Sequence, residues 1–469
     1  TNSGSQTLNG AVEQTNEPKI CGYVPPVVKD VIGEGSEGGD QASVDGKVVY
    51  PGQKVEYQLT TQPNLPAGLA YTVGKVVFTD TYDQYLTPDK QTVEMMDLAS
   101  GKVVPKTKYD TKWDEAKHLF QLTVTDQALL EEWKAGANPR VQIRFEGTVA
   151  KDAPGDHKVN NQWMLTLNNS LTPSNEVFNL PPNFQPSKAD NQSAEQGDPT
   201  ISIDGKTLMM GDTGQYVVTL DARQKDQAYK VWRLGISDDY DDEYVDVDPA
   251  KIEVLGADGK DYTKAFNIQV RDGVAYVYAR TVDTKVPATG ETVKGDPQPE
   301  DLKAYAANTT HDALKDPAID QTLLGQTYQV ILPYKVIKVT DGYVVKNTAT
   351  QLVNQVSKTT NQVSNPLKPI NPVKDVVVKV NGASANGKSV YKDSTFLYRL
   401  DSSVIPANRA YQTVRNWSIS DQLDPAYDKL TGQWAVYAAR DLYQDGKVIA
   451  KKGDRIAGSD FDSSKLGGD

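Results

Sequence analysis

The sequence is poor in the residues on which most catalytic and metal chemistry depends. Its 469 residues hold one cysteine, Cys21, and three histidines, His118, His157 and His311. A lone cysteine excludes an intramolecular disulfide, so the chain must be stabilised by other means, and Cys21 reads as a surface thiol near a polar end. None of the histidines falls in a zinc or nucleophile motif, and no phosphate-binding glycine loop occurs, which disfavours an enzyme acting on an external substrate. No run approaches the ~18 apolar residues of a membrane span, so no membrane insertion is expected. Positive charge is also in deficit. Fifty Lys and Arg against 62 Asp and Glu leave a net charge of −12, which argues against a nucleic-acid partner and against an anionic membrane surface. Neither a signal peptide nor a sorting signal is recognisable, and the polar start over residues 1–20 reads as a linker, so a fragment of a longer protein is expected.

What the sequence does hold is β-patterning. Hydrophobic residues make up 38%, enough for packed cores. Short alternating runs such as KVEYQLT (54–60), GQYVVTL (214–220) and VAYVYART (274–281) are separated by DG, NG, PG and GD turns. One short helix is predicted at TDQALLEEWKAG (125–136), and residues 299–325 read as a helical or irregular insertion.

An internal repeat organises these strands. Three segments open on a lysine near a proline: PPVVKD (Lys29), QPSKAD (Lys188) and NPVKDV (Lys374). A turn with a second lysine follows, at Lys47, Lys206 and Lys388. The steps from 29 to 47 and from 188 to 206 are equal, and the third is four shorter. An aspartate comes next, in FTDTYD (Asp80), ISDDYD (Asp238) and ISDQLD (Asp421). The first two segments then carry an asparagine strand, VNNQWMLTL (Asn161) and VKNTATQLV (Asn347), and a closing strand starting at Ser174 or Ser364. The expected units are 21–185, 186–371 and a partial, truncated 372–469, in which no asparagine follows Asn416.

Side chains alternate across a strand, so phase gives direction. Asp80 is in phase with Val76, Phe78 and Tyr82; Asp238 with Ile236 and Tyr240; Asp421 with Trp417, Ile419 and Leu423. Lys29 is in phase with Val27 and Val31, Lys374 with Val376 and Val378, and Asn161 with Val159, Trp163 and Leu165. Lys188 has polar neighbours and no clear phase. Each set is thus expected to point inward, where polar groups cost several kcal/mol unless they satisfy one another. Burial drives a lysine toward its neutral, nucleophilic amine and an aspartate toward its protonated, acidic form. An amine beside a carboxamide polarised by that acid can displace ammonia, leaving a Lys–Asn isopeptide bond. Such a bond restrains the unfolded chain as a long-loop disulfide does, by ~4–5 kcal/mol on the chain-entropy model. A single Lys–Asp pair would read as a buried salt bridge; the repetition of the whole order favours the cross-link.

These motifs resemble the C-terminal domains of the streptococcal antigen I/II adhesins and related isopeptide-forming adhesins, including enterococcal aggregation substances. The resemblance covers about residues 22–469 and is carried by IDGKTLMMGDTGQYVVTLD, the ISDDYDDEY box, KNTATQ, INPVKDVVVKV and FLYRLDSSVIPANRAYQ. It implies an all-β chain of tandem Ig-like (DEv-IgG-type) β-sandwich domains with short helical insertions, on the extracellular face of a Gram-positive cell wall. It implies the pairs Lys29–Asn161 with Asp80 and Lys188–Asn347 with Asp238, with Asn160 as an alternative to Asn161. In the third segment Lys374 and Asp421 match but the asparagine does not. No cofactor is required. The resemblance also admits calcium, for which Asp239, Asp241 and Asp242 in the acidic run 238–248 are the candidates. The partners implied for the full-length adhesin are host glycoproteins or other bacterial surface proteins. Two functions follow as expectations: a cross-linked stalk supporting a distal head, or a calcium-dependent ligand-binding module that uses the acidic run and the 299–325 insertion.

Overall fold

The computed structural model describes residues 1–296, 299–414 and 417–458. The regular structure is nearly all antiparallel β, with only short helices, and the first two segments form Ig-like sandwiches, as the alternation of the sequence requires. The run Lys54–Thr61 alternates between half-buried and buried at every position, and its inward residues Val55, Tyr57 and Leu59 are fully buried.

In the first sandwich, the strands that position the candidate site are β1 (Val27–Gly33), β2 (Lys54–Thr61), β3 (Val76–Tyr82), β4 (Leu119–Val124), β5 (Val141–Val149), β6 (Val159–Leu167) and β7 (Val177–Asn179). One sheet runs β1-β2-β5 and the other β6-β3-β4, each extended by shorter strands. Between them lies a core that includes Tyr57, Phe78, Phe120, Phe145 and Trp163. The predicted helix 125–136 forms only over Gln127–Glu131 (α1). Asp126 caps it, accepting from the Leu129 N–H at 2.9 Å, and Trp133 then leaves the helix for the core at 1% exposure.

The second sandwich repeats the plan with β8 (Ser187–Gln192), β9 (Thr213–Ala222), β10 (Leu234–Asp239), β11 (Val274–Ala279), β12 (Gln326–Val336), β13 (Val344–Asn347), β14 (Ala349–Val353) and β15 (Val363–Pro366). One sheet runs β8-β9-β12, the opposing one β11-β10-β14, and β13 pairs with β15. The insertion 299–325 carries a short helix, α2 (Leu302–Ala307), which lies on β11 through Leu302, Tyr276 and Tyr278. The guanidinium of buried Arg233 holds it, donating to the carbonyls of Tyr305, Ala306 and Asn308.

The third segment departs from expectation. Its first ladder, β16 (Val373–Val377) with β17 (Leu397–Asp401), is two-stranded, and so are its other ladders among the described residues. No strand forms over 417–423. Trp417 and Ile419, expected inside, are 55% and 43% exposed. On β16 the buried residue is Val377, out of phase with Lys374. The physical reason is that no second sheet faces this ladder among the described residues, so alternation alone has nothing to bury its apolar face against. Asn416 lies outside the described residues. Residues 1–20, read as a linker, hold an exposed hairpin pairing 5–8 with 11–14. No described helix is long and apolar enough to cross a membrane.

Candidate cross-linking sites

In the first sandwich Lys29 enters from β1 in one sheet, while Asp80 (β3) and Asn161 (β6) enter from the other. All three are buried, at 2%, 0% and 1% exposure. The register sets the last two side by side. Asn161 pairs with Tyr82 and Trp163 with Asp80, so Asn161 and Asp80 are diagonal neighbours on one face. Asn160 points to the opposite face and is only half-buried. The Lys29 ammonium makes an ion pair with Asp80 Oδ2 and lies 5.2 Å from the centre of the Tyr57 ring.

The second sandwich reproduces this arrangement. Lys188 (β8), Asp238 (β10) and Asn347 (β13) are 4%, 1% and 2% exposed. Ala349 pairs with Asp238, which again puts the asparagine two residues away on the diagonal. Lys188 pairs with Asp238 Oδ2, and its nitrogen lies 4.4 Å from the centre of the Tyr216 ring. Lys188 is inward after all. Its neighbour Asp190 hid the phase because Asp190 is itself fully buried.

The electrostatics follow from burial. Desolvation pulls the Lys29 ammonium down to about 8 against the attraction of Asp80, and it lowers Lys188 likewise. Desolvation raises Asp80 and Asp238, with the paired lysines opposing it. Both shifts move each pair from ammonium plus carboxylate toward amine plus carboxylic acid. Meanwhile the side-chain amides of Asn161 and Asn347 each lie against their aspartate and favour its charged form, Asn347 also adjoins the Tyr216 hydroxyl, and neither amide makes a hydrogen bond of good geometry. A buried amide left so is costly and free to react.

The chemistry available is a balanced condensation. The lysine proton passes to the aspartate, and the amine attacks the asparagine Cγ. The aspartic acid donates to the amide oxygen as negative charge develops there. The carboxylate so formed takes the excess proton from the attacking nitrogen and passes it to Nδ2, the Cγ–Nδ2 bond breaks, and the nitrogen departs with the hydroxyl proton as ammonium, leaving a neutral amide and the aspartate regenerated. The product amide would join the two sheets of its sandwich.

Several residues of these sites carry sequence signals that the Lys–Asp–Asn pattern alone does not reveal. The tyrosines under the lysines recur in step: 29 to 57 and 188 to 216 are equal intervals, and 374 to 398 is four shorter. Asn175 grips the backbone of Lys29 at both ends. It accepts from the amide at 2.9 Å and donates to the carbonyl at 2.9 Å. Asn361 does the same for Lys188, at 2.9 and 2.8 Å. Four residues on, Asn179 and Asn365 each donate to the turn before the second lysine, at 2.8 Å to Val44 and Ile203. The closing strand is therefore an N-x-V-x-N motif. Ser174 does not correspond to Ser364; the equivalent pairs are Asn175 with Asn361 and Asn179 with Asn365.

Two further sets of sequence candidates lie apart from this arrangement. Lys374 and Asp421 do meet, at 2.6 Å, but at 42% and 23% side-chain exposure, with Lys374 4.2 Å from the Tyr398 ring centre. Unlike the other two pairs, both side chains there remain in contact with solvent. The three aspartates of the acidic run point apart. Asp239 faces outward from β10, the Asp241 carboxylate accepts the Tyr343 hydroxyl at 2.6 Å, and Asp242 lies beside Gly273. Among the described residues no three carboxylate, imidazole or thiol groups converge as metal ligands.

Comparison with known proteins adds to this geometry. The family model described as the cell surface antigen I/II C2 terminal domain matches twice, over residues 28–181 and 186–367. The model described as the cell surface antigen C-terminus matches residues 371–466. The aggregation substance of Enterococcus faecalis is 28% identical over 471 residues, which is 96% of this chain and 33% of the relative. The chain thus spans about a third of that relative's length. Two solved structures cover 73% of this chain and 100% of their own, with a TM-score of 0.51 at 14% identity. They are the C-terminal domains of the Streptococcus agalactiae AgI/II polypeptide BspA and of the Streptococcus pyogenes antigen I/II-family protein AspA. At that identity the likeness is one of fold.

Proposed function

This chain belongs to the cell surface antigen I/II family, as part of the C-terminal region of a surface adhesin, and from that premise we propose that it is a self-locking stalk. Two of its sandwiches close with Lys29–Asn161 and Lys188–Asn347 isopeptide bonds, assisted by Asp80 and Asp238. The stalk is anchored to the cell wall and holds a distal adhesive region of the full-length protein toward host glycoproteins or other bacterial surface proteins. Its only chemistry is this autocatalytic step. The observation that carries the reading is the repeated buried set in which a lysine amine and an acid from opposite sheets meet the amide of an asparagine that adjoins the acid. Force or proteolysis acting on such a sandwich meets a covalent closure rather than a zipper of hydrogen bonds. The test is the mass of single variants. Asp80→Ala and Asp238→Ala should each retain one ammonia that the parent chain loses, after allowance for the substitution. A variant that condenses as fully as the parent would remove that aspartate from the mechanism.

A further inference from the structure

The contacts between successive units contain a second repeated device, unrelated to the cross-link. From the second sandwich, residues 226–229 reach into the first as a short parallel bridge. The Val48 amide donates to the Asp226 carbonyl at 2.8 Å, and the Ala228 amide to the Val48 carbonyl at 2.9 Å. Tyr229 follows, 8% exposed and packed into the first sandwich's core. Its hydroxyl accepts from the Glu34 amide at 2.9 Å and donates to the Lys54 carbonyl.

The third segment docks on the second in the same way. Thr207 exchanges the same two hydrogen bonds with Asn408 and Ala410, at 2.7 and 2.8 Å. Tyr411, also 8% exposed, joins the second core. Its hydroxyl accepts from the Ser193 amide at 2.9 Å and donates to the Thr213 carbonyl at 2.6 Å. The socket positions correspond residue for residue: 34, 48 and 54 stand from Lys29 as 193, 207 and 213 stand from Lys188. Each plug is an Ala–Tyr pair that enters the module immediately N-terminal to its own.

The first sandwich carries the same pair. Ala70–Tyr71 lies as far before Asp80 as Ala228–Tyr229 lies before Asp238. Two residues on, Val73 and Val231 are both buried core residues, so the corner is built alike. Yet Tyr71 is 80% exposed. A large aromatic at a position whose two counterparts are buried plugs marks a contact surface.

We propose that Ala70–Tyr71 is a third plug, and that its partner is another sandwich of this construction, standing ahead of residue 21 in the same polypeptide. The partner's chemistry is defined by the two filled sockets. It is a strand-end backbone offering one N–H and one C=O to the tyrosine hydroxyl, beside a residue free to form a parallel bridge with the Ala–Tyr segment. Direction supports the choice, since both filled plugs point up the chain. So does length, since the enterococcal relative is about three times as long as the part aligned here. The modules would then be coupled rigidly through one recurring side chain, passed from each unit to the one before it.

The test is tyrosine nitration at low conversion with tetranitromethane, read by peptide mass spectrometry, on the 469-residue chain and on the full-length protein displayed on cells. In the 469-residue chain Tyr71 should react like Tyr391 and Tyr427, which are 91% and 90% exposed, while Tyr229 and Tyr411 stay protected. In the full-length protein Tyr71 should lose at least about tenfold in reactivity and join the protected pair. Equal reactivity in both would overturn the proposal. Protection that instead appears in the 469-residue chain as its concentration rises would overturn it too, by making a second copy the occupant.

Discussion

Replacing Asn161 with alanine isolates the value of one lock. The variant keeps the Lys29–Asp80 ion pair, the Tyr57 ring and the Asn175 clamp on the Lys29 backbone, and removes only the acceptor. The Asn161 amide has only its contact with the Asp80 carboxyl and no hydrogen bond of good geometry, so deleting it forfeits about 1 kcal/mol at most in hydrogen bonding. The loss is therefore mainly that of the cross-link. A closure from residue 29 to residue 161 restrains about 130 residues, for which the chain-entropy relation gives about 5 kcal/mol. At ~2–4 °C per kcal/mol for a module of this size, its melting temperature should fall by ~10–20 °C. Scanning calorimetry on the whole chain reads this directly, because the second module would retain its proposed lock and serve as an internal reference. Asn347→Ala should lower the second module instead, by nearly the same amount, since its loop is only slightly longer and the cost grows with the logarithm of length. A shift of under ~3 °C in a variant shown by mass to have lost one cross-link would refute the entropic argument.

Three further outcomes follow from the same geometry. Asp190 is buried against the Tyr334 hydroxyl, at 3.0 and 3.1 Å, near Asn365 and Lys188, and burial pushes its carboxyl up to about 7. A raised carboxyl stabilises the fold while protonated. That contribution is complete below the ordinary aspartate range and is lost as pH rises toward 7, by up to about 4 kcal/mol. Urea midpoints of the second module should therefore fall between pH 4 and 7, and Asp190→Asn should flatten the profile. Tyr229→Phe keeps the ring but removes the hydroxyl that joins the Glu34 amide to the Lys54 carbonyl. It should weaken coupling of the first two modules by ~1–3 kcal/mol, seen as a broader distance distribution in solution scattering; an unchanged distribution would assign the coupling to the strand bridge. Tyr411→Phe should do the same one junction further on.

The sandwich architecture was legible because inward positions in β1, β3, β6 and β10 are apolar except at the reacting residues, and a lysine or aspartate in such a phase stands out. The repeat supplied what one strand could not, namely that the same three residue types recur in the same order. Three features were hidden for physical reasons. Lys188 had no readable phase because Asp190, a second buried polar group on the same face, broke the apolar alternation. The N-x-V-x-N clamp is hidden because its asparagines act through backbone contacts on β1 and β8 and on the turns that follow them, which lie far away in sequence. The third segment misled because alternation states which face is apolar, not whether anything covers it, and Trp417 and Ile419 stay exposed. The acidic run shows a different limit of sequence reading. Adjacent aspartates in a strand and its turn point in different directions, and Asp239, Asp241 and Asp242 do not converge.

The central claim is that each of two sandwiches has condensed one lysine with one asparagine, and intact mass under denaturing conditions tests it most directly. The account predicts a chain lighter than its sequence by two ammonia molecules, with digestion yielding one branched peptide joining Lys29 to Asn161 and another joining Lys188 to Asn347. A mass equal to that of the unmodified sequence, with all four residues recovered in linear peptides, would contradict it.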